Sequence, residues 1–249
     1  MRTKQSQAKP VKTNSAMTKL NFILKSVLPA IAGLAVLAIV PSPALAQMTS
    51  DWREQYAYDL GVQAYIYYFP WLNMAQYRWQ WVAQPPSSAP SAPLNQFWHA
   101  KVLADASYRG GGSPNVDTLY SMAWIDLTQE PLILSVPAVT NRYFTFELSS
   151  MDSDNFGYVG LRTTGNAGGN YAILGPHWYG TLPAGVSAGL PPNELRSRTP
   201  YALITGRTLV SGTNDLTNVY QLQAQYKLTT LSYWGTTNVP PVNTNVFQP

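Results

Sequence analysis

The chain has 249 residues, no cysteine, a formal net charge of +4 and only 11% charged residues. That length suits one domain with a sizeable core, and the missing cysteine excludes a disulfide framework, a thiol nucleophile and thiolate metal sites. The positive charge is confined to one end: Arg2, Lys4, Lys9, Lys12, Lys19 and Lys25 precede any acid, and beyond residue 46 about 10 basic residues face 12 acidic ones, near −2, so the electrostatic case for nucleic acid falls away.

Residues 1–46 join that basic stretch to an apolar run, Val27 to Val40, and to Pro-Ser-Pro-Ala-Leu-Ala. This is the order of an export signal, with Ala44 and Ala46 forming an A-x-A cleavage site. As a helix the apolar run would reach about 21 Å, short of a bilayer core of about 30 Å. The expectation is a periplasmic or secreted protein cleaved near Ala46, not an integral membrane protein.

From Asp51 to about Gln84 the spacing of Trp52, Tyr56, Leu60, Gln63 and Tyr67 is helical, with Ser50 or Asp51 as N-cap. Pro70 should kink or split that helix. The aromatic stripe Trp71, Tyr77, Trp79 and Trp81, with Met74, resembles a sugar-stacking platform but at helical spacing reads as core. Residues 85–113 form a Pro/Gly-rich stretch: Pro85 to Pro93 an extended loop, Asn95 to Ala106 a short helix holding His99, and Gly110-Gly111-Gly112 a sharp turn.

After Pro114 the texture changes to short apolar runs cut by Gly, Pro and Asn: Thr118 to Leu127, Leu132 to Val136, Tyr143 to Leu148, Tyr158 to Arg162, Tyr171 to Leu174 and Ala202 to Val210. Such runs predict an antiparallel sandwich over residues 114–231. Gly165 to Gly169 reads as a hairpin turn, Asp215 to Tyr226 as one amphipathic helix behind an Asn214 cap, and residues 232–249 as a linker or tail. The fold class is therefore α+β, mainly β.

Five blocks resemble the family called domain of unknown function 1254. They are Asn95-x-x-x-His99 leading to Asp105-Ala106; Pro114-Asn115-Val116-Asp117-Thr118-Leu119-Tyr120-Ser121 with Ala123-Trp124 and Asp126-Leu127; and Leu134-Ser135-Val136-Pro137 before Arg142-Tyr143. The fourth is Arg162-Thr163-Thr164-Gly165 before Gly175-Pro176-x-Trp178, and the fifth is Thr199-Pro200 with Gly206-Arg207-Thr208-Leu209 and Gln225-Tyr226-Lys227-Leu228. The resemblance implies an exported protein with a helical N-terminal portion and an immunoglobulin-like β-sandwich. It also implies a following β domain of the family numbered 1214, whose place here would begin where the chain stops. It brings no reaction with it.

The chemistry-bearing residues allow competing readings. Asn115 and Asp117 suit an Asx turn that sets strand register, or an amide and carboxylate offered at a sheet end. Asp152, Asp154 and Asn155 form a D-x-D-N cluster of oxygen ligands suited to Ca²⁺ or Mg²⁺, or a solvated acidic loop; the EF-hand pattern is broken, since position twelve is Thr163. Arg142, Arg162 and Arg207 suit structural ion pairs with Asp117, Asp126, Glu147 or Asp152. Alternatively, Arg142 and Arg162 with the Thr163 and Thr164 hydroxyls make an anion pocket. His99 and His177 read as packed or surface residues.

With titratable side chains so sparse, the leading expectation is an exported envelope protein of the binding or interaction kind. Its partner would be a polar or anionic small molecule, a glycan or a partner β domain. The alternative is a hydrolase of an anionic ester, with or without metal assistance, with Asp117 and Asp152 as catalytic candidates; it requires those acids and the arginines to converge in one pocket.

Overall fold

The computed structural model describes residues 52–84, 90–109, 113–189 and 194–242. The expected export signal, the Ser50 or Asp51 cap, the Gly110 to Gly112 turn and parts of the Pro85 loop and tail lie outside these. The chain divides at Val62 and Gln63 into two units; all packing below belongs to the second.

Helix α1 is Trp52–Arg78 and continues through Pro70, so the expected split is not found; a wider π-type turn, Trp79–Ala83, follows instead. Among the described residues eight strands follow: β1 Trp98–His99, β2 Thr118–Asp126, β3 Leu132–Val136, β4 Phe144–Ser150, β5 Asn155–Gly160, β6 Gly169–Ile173, β7 Tyr201–Leu209 and β8 Lys227–Thr230. Helix α2, Leu216–Gln223, precedes β8. No described helix is long and apolar enough to cross a membrane.

The strands form two antiparallel sheets, β1-β2-β7-β4-β5 and β6-β3-β8. The architecture is an α+β, mainly β, immunoglobulin-like sandwich with an N-terminal and a C-terminal helix. Period-two alternation sends Ala123 and Ile125 of β2, Phe144, Phe146 and Leu148 of β4, and Ala202 and Ile204 of β7 inward. They meet Leu132, Leu134 and Val136 of β3 and Ile173 of β6 in one buried cluster. The opposite faces are covered too. Trp124 and Leu203 pack with Met74 and Trp81, and Ile133 and Ala172 with Leu174 and Ala188, which is why β3 is apolar almost throughout.

Several expectations need correction. The short helix expected over Asn95 to Ala106 is instead strand β1 flanked by turns; Trp98 and His99 pair with Met122 and Ser121, and that ladder overrides weak local propensity. Gly165 to Gly169 is not a hairpin, because it carries the chain from β5 in one sheet to β6 in the other. Gly168 at φ +79° sits against the Val136 and Pro137 backbone, where a Cβ would come within 2.7 Å. The aromatic stripe is only partly core: Met74 is buried and Trp81 meets Trp124 at 6.4 Å, whereas Trp71, Tyr77 and Trp79 remain exposed. Helix α2 begins behind Asp215, not Asn214.

Candidate functional site

The structure scatters the residues that sequence chemistry singled out. Arg142 is committed to Asp215, Nη1 to Oδ2 at 2.5 Å and Nη2 to Oδ1 at 3.0 Å, and Nη1 also donates to the Leu209 carbonyl. The Arg142 guanidinium and the Ser211 N–H hold the Asp215 carboxyl well below the usual carboxylate range. Arg207 pairs with Glu147 at 3.1 Å on the outer face of the larger sheet, beside the Tyr120 ring. Arg162 is exposed, beyond the end of β5. Thr163 and Thr164 direct their hydroxyls to the Gly160 carbonyl, closing the turn after β5, so they are not aimed at a ligand. The Asn115 backbone N–H donates to the Tyr120 hydroxyl oxygen at 2.9 Å, and Asp117 is exposed.

Topology separates the rest. Thr118 faces Leu209, Phe144 faces Thr208 and Thr145 faces Gly160, so Asp117, Arg142 and Arg162 lie toward one end of the larger sheet. Asp152 and Asp154 occupy the β4–β5 turn at the other end. There Ser150 donates to Asp152, Arg198 pairs with Asp154, and Asn155 is held between Ser149 and Tyr158. The convergence that the ester-hydrolase reading needs is not formed. Among the described residues no three His, Asp or Glu side chains cluster as metal ligands.

A different site emerges where the sandwich is open between β1 and β8, one edge strand from each sheet. Two adjoining cavities of about 1010 and 740 Å³ share Asn95, Gln96, Leu228, Tyr233, Val239 and Pro240. The larger is floored by Phe97, His99 and Tyr226 and rimmed by Gln225, Trp234 and Asn238. Its charged side chain is Lys227; the acids of the smaller one are capped, Asp126 by Thr128 and Glu130 by Ser232. The lining is therefore aromatic and amide-rich with little net charge.

Strand pairing and helix packing build this floor. His99 stands opposite Ser121 in the β1–β2 ladder, and Nδ1 lies 2.9 Å from Ser121 Oγ. Helix α2 turns Val219 and Gln223, one helical turn apart and both fully buried, toward β2. Gln223 Nε2 reaches the Tyr120 carbonyl at 3.2 Å and Ser121 Oγ at 3.4 Å. Tyr226 meets Thr208 Oγ1 at 3.0 Å and stacks edge-on against Phe146 at 4.8 Å. Gly206 makes room for the Phe146 ring, which would lie 2.8 Å from a Cβ there.

Burial in this apolar surround, with nearby Lys101, lowers His99 to about 4, so its imidazole is neutral at ordinary pH. Burial likewise pushes the Tyr226 phenol up to about 12. Sequence reading gives Ser121, Gln223 and Tyr226 no role in a site and treats His99 as packed or surface; the one visible signal is that His99, Ser121 and Gln225-Tyr226 fall within the resemblance blocks. His177 is exposed, as one of its two readings had it.

An antiparallel sandwich with a covering helix and a groove at its open edge defines a class of architecture rather than an activity. The family model described as "Protein of unknown function (DUF1254)" matches residues 94–230, more than half of the chain, and the chain belongs to that family. His99, Ser121, Gln223 and Tyr226 all fall within the match. Among solved structures the chain is similar to the VPA0106 protein from Vibrio parahaemolyticus, with 25% identity and a TM-score of 0.55 over 74% of this chain. It spans 41% of that protein's length. No curated protein matches it.

Proposed function

We propose that this is an exported envelope protein acting as a binding module, and that its groove between β1 and β8 takes an uncharged polar ligand of the glycan kind. The observation carrying the reading is the lining: the rings of Phe97, Trp234 and the largely buried Tyr226 beside the amides of Asn95, Gln225 and Asn238, with Lys227 the charged member of the larger cavity. Sugars present apolar C–H faces to aromatic rings and hydroxyls to amides, and a pocket with a few placed polar groups fixes their orientation. The anion reading loses support because Arg142 is neutralised by Asp215 and the Thr163 and Thr164 hydroxyls turn to the Gly160 carbonyl, which leaves Arg162 exposed without those partners. The basic, apolar and A-x-A order of residues 1–46 supports export.

A thermal-shift screen separates the ligand classes, since a ligand bound only by the native state raises its stability, by about 2.7 kcal/mol at a hundredfold excess over Kd. Neutral oligosaccharides should raise the midpoint and Trp234→Ala should abolish the gain. Stabilisation by phosphate esters or carboxylates alone would replace this reading. N-terminal sequencing of the exported protein should begin at Gln47.

A further inference from the structure

Three buried or half-buried side chains in the groove floor form a chain whose hydrogens can be counted. The Tyr120 carbonyl, which also accepts the Ala100 N–H at 2.8 Å, requires the Gln223 amide to turn its NH₂ inward. The same NH₂ then offers its second hydrogen to Ser121 Oγ at 3.4 Å. Ser121 is 0% exposed, so its own hydroxyl hydrogen needs an acceptor inside the protein, and His99 Nδ1 lies 2.9 Å away. Were Nδ1 the donor instead, the Ser121 hydrogen would be buried without a partner, at a cost of about 1–3 kcal/mol.

We infer that Gln223 and Ser121 are positioning residues that lock His99 as the Nε2–H tautomer, so that the groove presents an imidazole N–H donor and selects a ligand with an acceptor oxygen at that point. The class is a hydroxyl, ether or carbonyl oxygen of an uncharged polar molecule; a metal ion or an N–H donor arriving there meets a hydrogen where it needs a lone pair. Nε2 makes no hydrogen bond within the described protein and is not among its enclosed, unpartnered atoms, which leaves it open to the groove that His99 lines. The Phe97 ring stacked at 5.4 Å holds the imidazole plane. Gln223 Oε1 is left buried without a partner, and this is the cost of an amide orientation set by the relay.

The inference rests on the groove being a ligand site, yet its test needs no ligand. Nitrogen-15 labelling of histidine gives signals from His99 and His177, and the exposed His177 supplies an internal reference. At neutral pH the long-range nitrogen–proton pattern of His99 should show Nε2 protonated and Nδ1 as an acceptor. Ser121→Ala should shift the Nδ1 resonance toward the averaged position shown by His177, and Gln223→Met should shift it partway. A protonated Nδ1 in the unaltered protein would overturn the inference even if neither variant folded, as would identical His99 resonances in the protein and Ser121→Ala. Failure of every oligosaccharide to bind, with the tautomer as expected, would instead count against the glycan reading.

Discussion

Replacing Arg142 by Met removes one half of an enclosed ion pair and leaves the other half stranded. The two side chains are 9% and 12% exposed and meet through two parallel contacts of 2.5 and 3.0 Å. Breaking a buried pair from one side costs about 3–5 kcal/mol, because the remaining charge has lost its partner, and this pair is only partly enclosed. Asp215 would keep the Ser211 N–H and the Asn218 amide, both at 2.9 Å, which places the expected loss near the lower end, about 3 kcal/mol. For a chain of this size that lowers the thermal midpoint by about 6–12 °C. Urea unfolding should show the midpoint falling at constant slope, since the surface exposed on unfolding is unchanged.

The double variant Arg142→Met with Asp215→Leu removes both charges and should return to within about 1 kcal/mol of the unaltered protein. The pH dependence follows from the sign of the shift. The folded Asp215 carboxyl titrates below its ordinary 3.8, so its stabilisation is present above that value and disappears as pH falls below it. Arg142→Met should weaken that acid limb, leaving the part held by the Ser211 N–H and the Asn218 amide. A single variant within about 0.5 kcal/mol of the original, or a double variant as unstable as the single ones combined, would refute the reasoning.

Other substitutions separate the core, the groove and the surface. Gly206→Ala places a Cβ 2.8 Å from the Phe146 ring and 2.9 Å from the Ser121 carbonyl, and should cost about 1–3 kcal/mol in denaturant titration. Tyr226→Phe strands the buried Thr208 hydroxyl, a loss of about 1–2 kcal/mol. Because the phenol is raised from 10.0 to about 12, its stabilisation is complete below pH 10 and fades as pH rises through 12; Tyr226→Phe should lack that alkaline limb. His99 is lowered from 6.5 to about 4, so its stabilisation is present above pH 6.5 and lost as pH falls through 4. An enclosed ring would supply about 3 kcal/mol and one open to the groove about half that, and His99→Gln should remove the decline between those pH values. Arg198, 62% exposed beside Asp152 and Asp154, should tolerate Ala with a change under about 0.5 kcal/mol.

The longer strands were legible because each carries its own alternating pattern. Leu132 to Val136 agrees to the residue, Thr118 to Leu127 runs one residue past the strand's end, and Ala202 to Val210 is shifted by one at both ends. Strands β1 and β8 were not legible: two and four residues are too few for a period to show, and both exist because a neighbouring strand pairs with them. The groove was hidden for the same reason. His99, Ser121 and Gln223 meet only after β1 pairs with β2 and α2 docks on them, and no local spacing announces that. The arginines misled in the opposite direction, since scarcity of charge made them conspicuous although Arg142 and Arg207 are occupied with Asp215 and Glu147.

Both sheets are stitched from distant parts of the chain: β2 pairs with β7, and β3 pairs with β8. Those two ladders cannot begin to form until nearly the whole domain is available, although β1 with β2, β4 with β5 and β3 with β6 join closer parts of the chain. Folding should therefore be a late, single closing event of high contact order, and slow. Until β8 arrives, β3 presents one bare edge and an apolar inner row to whatever is nearby. A chain cut before Lys227 would lose far more than four residues; it would never close its second sheet.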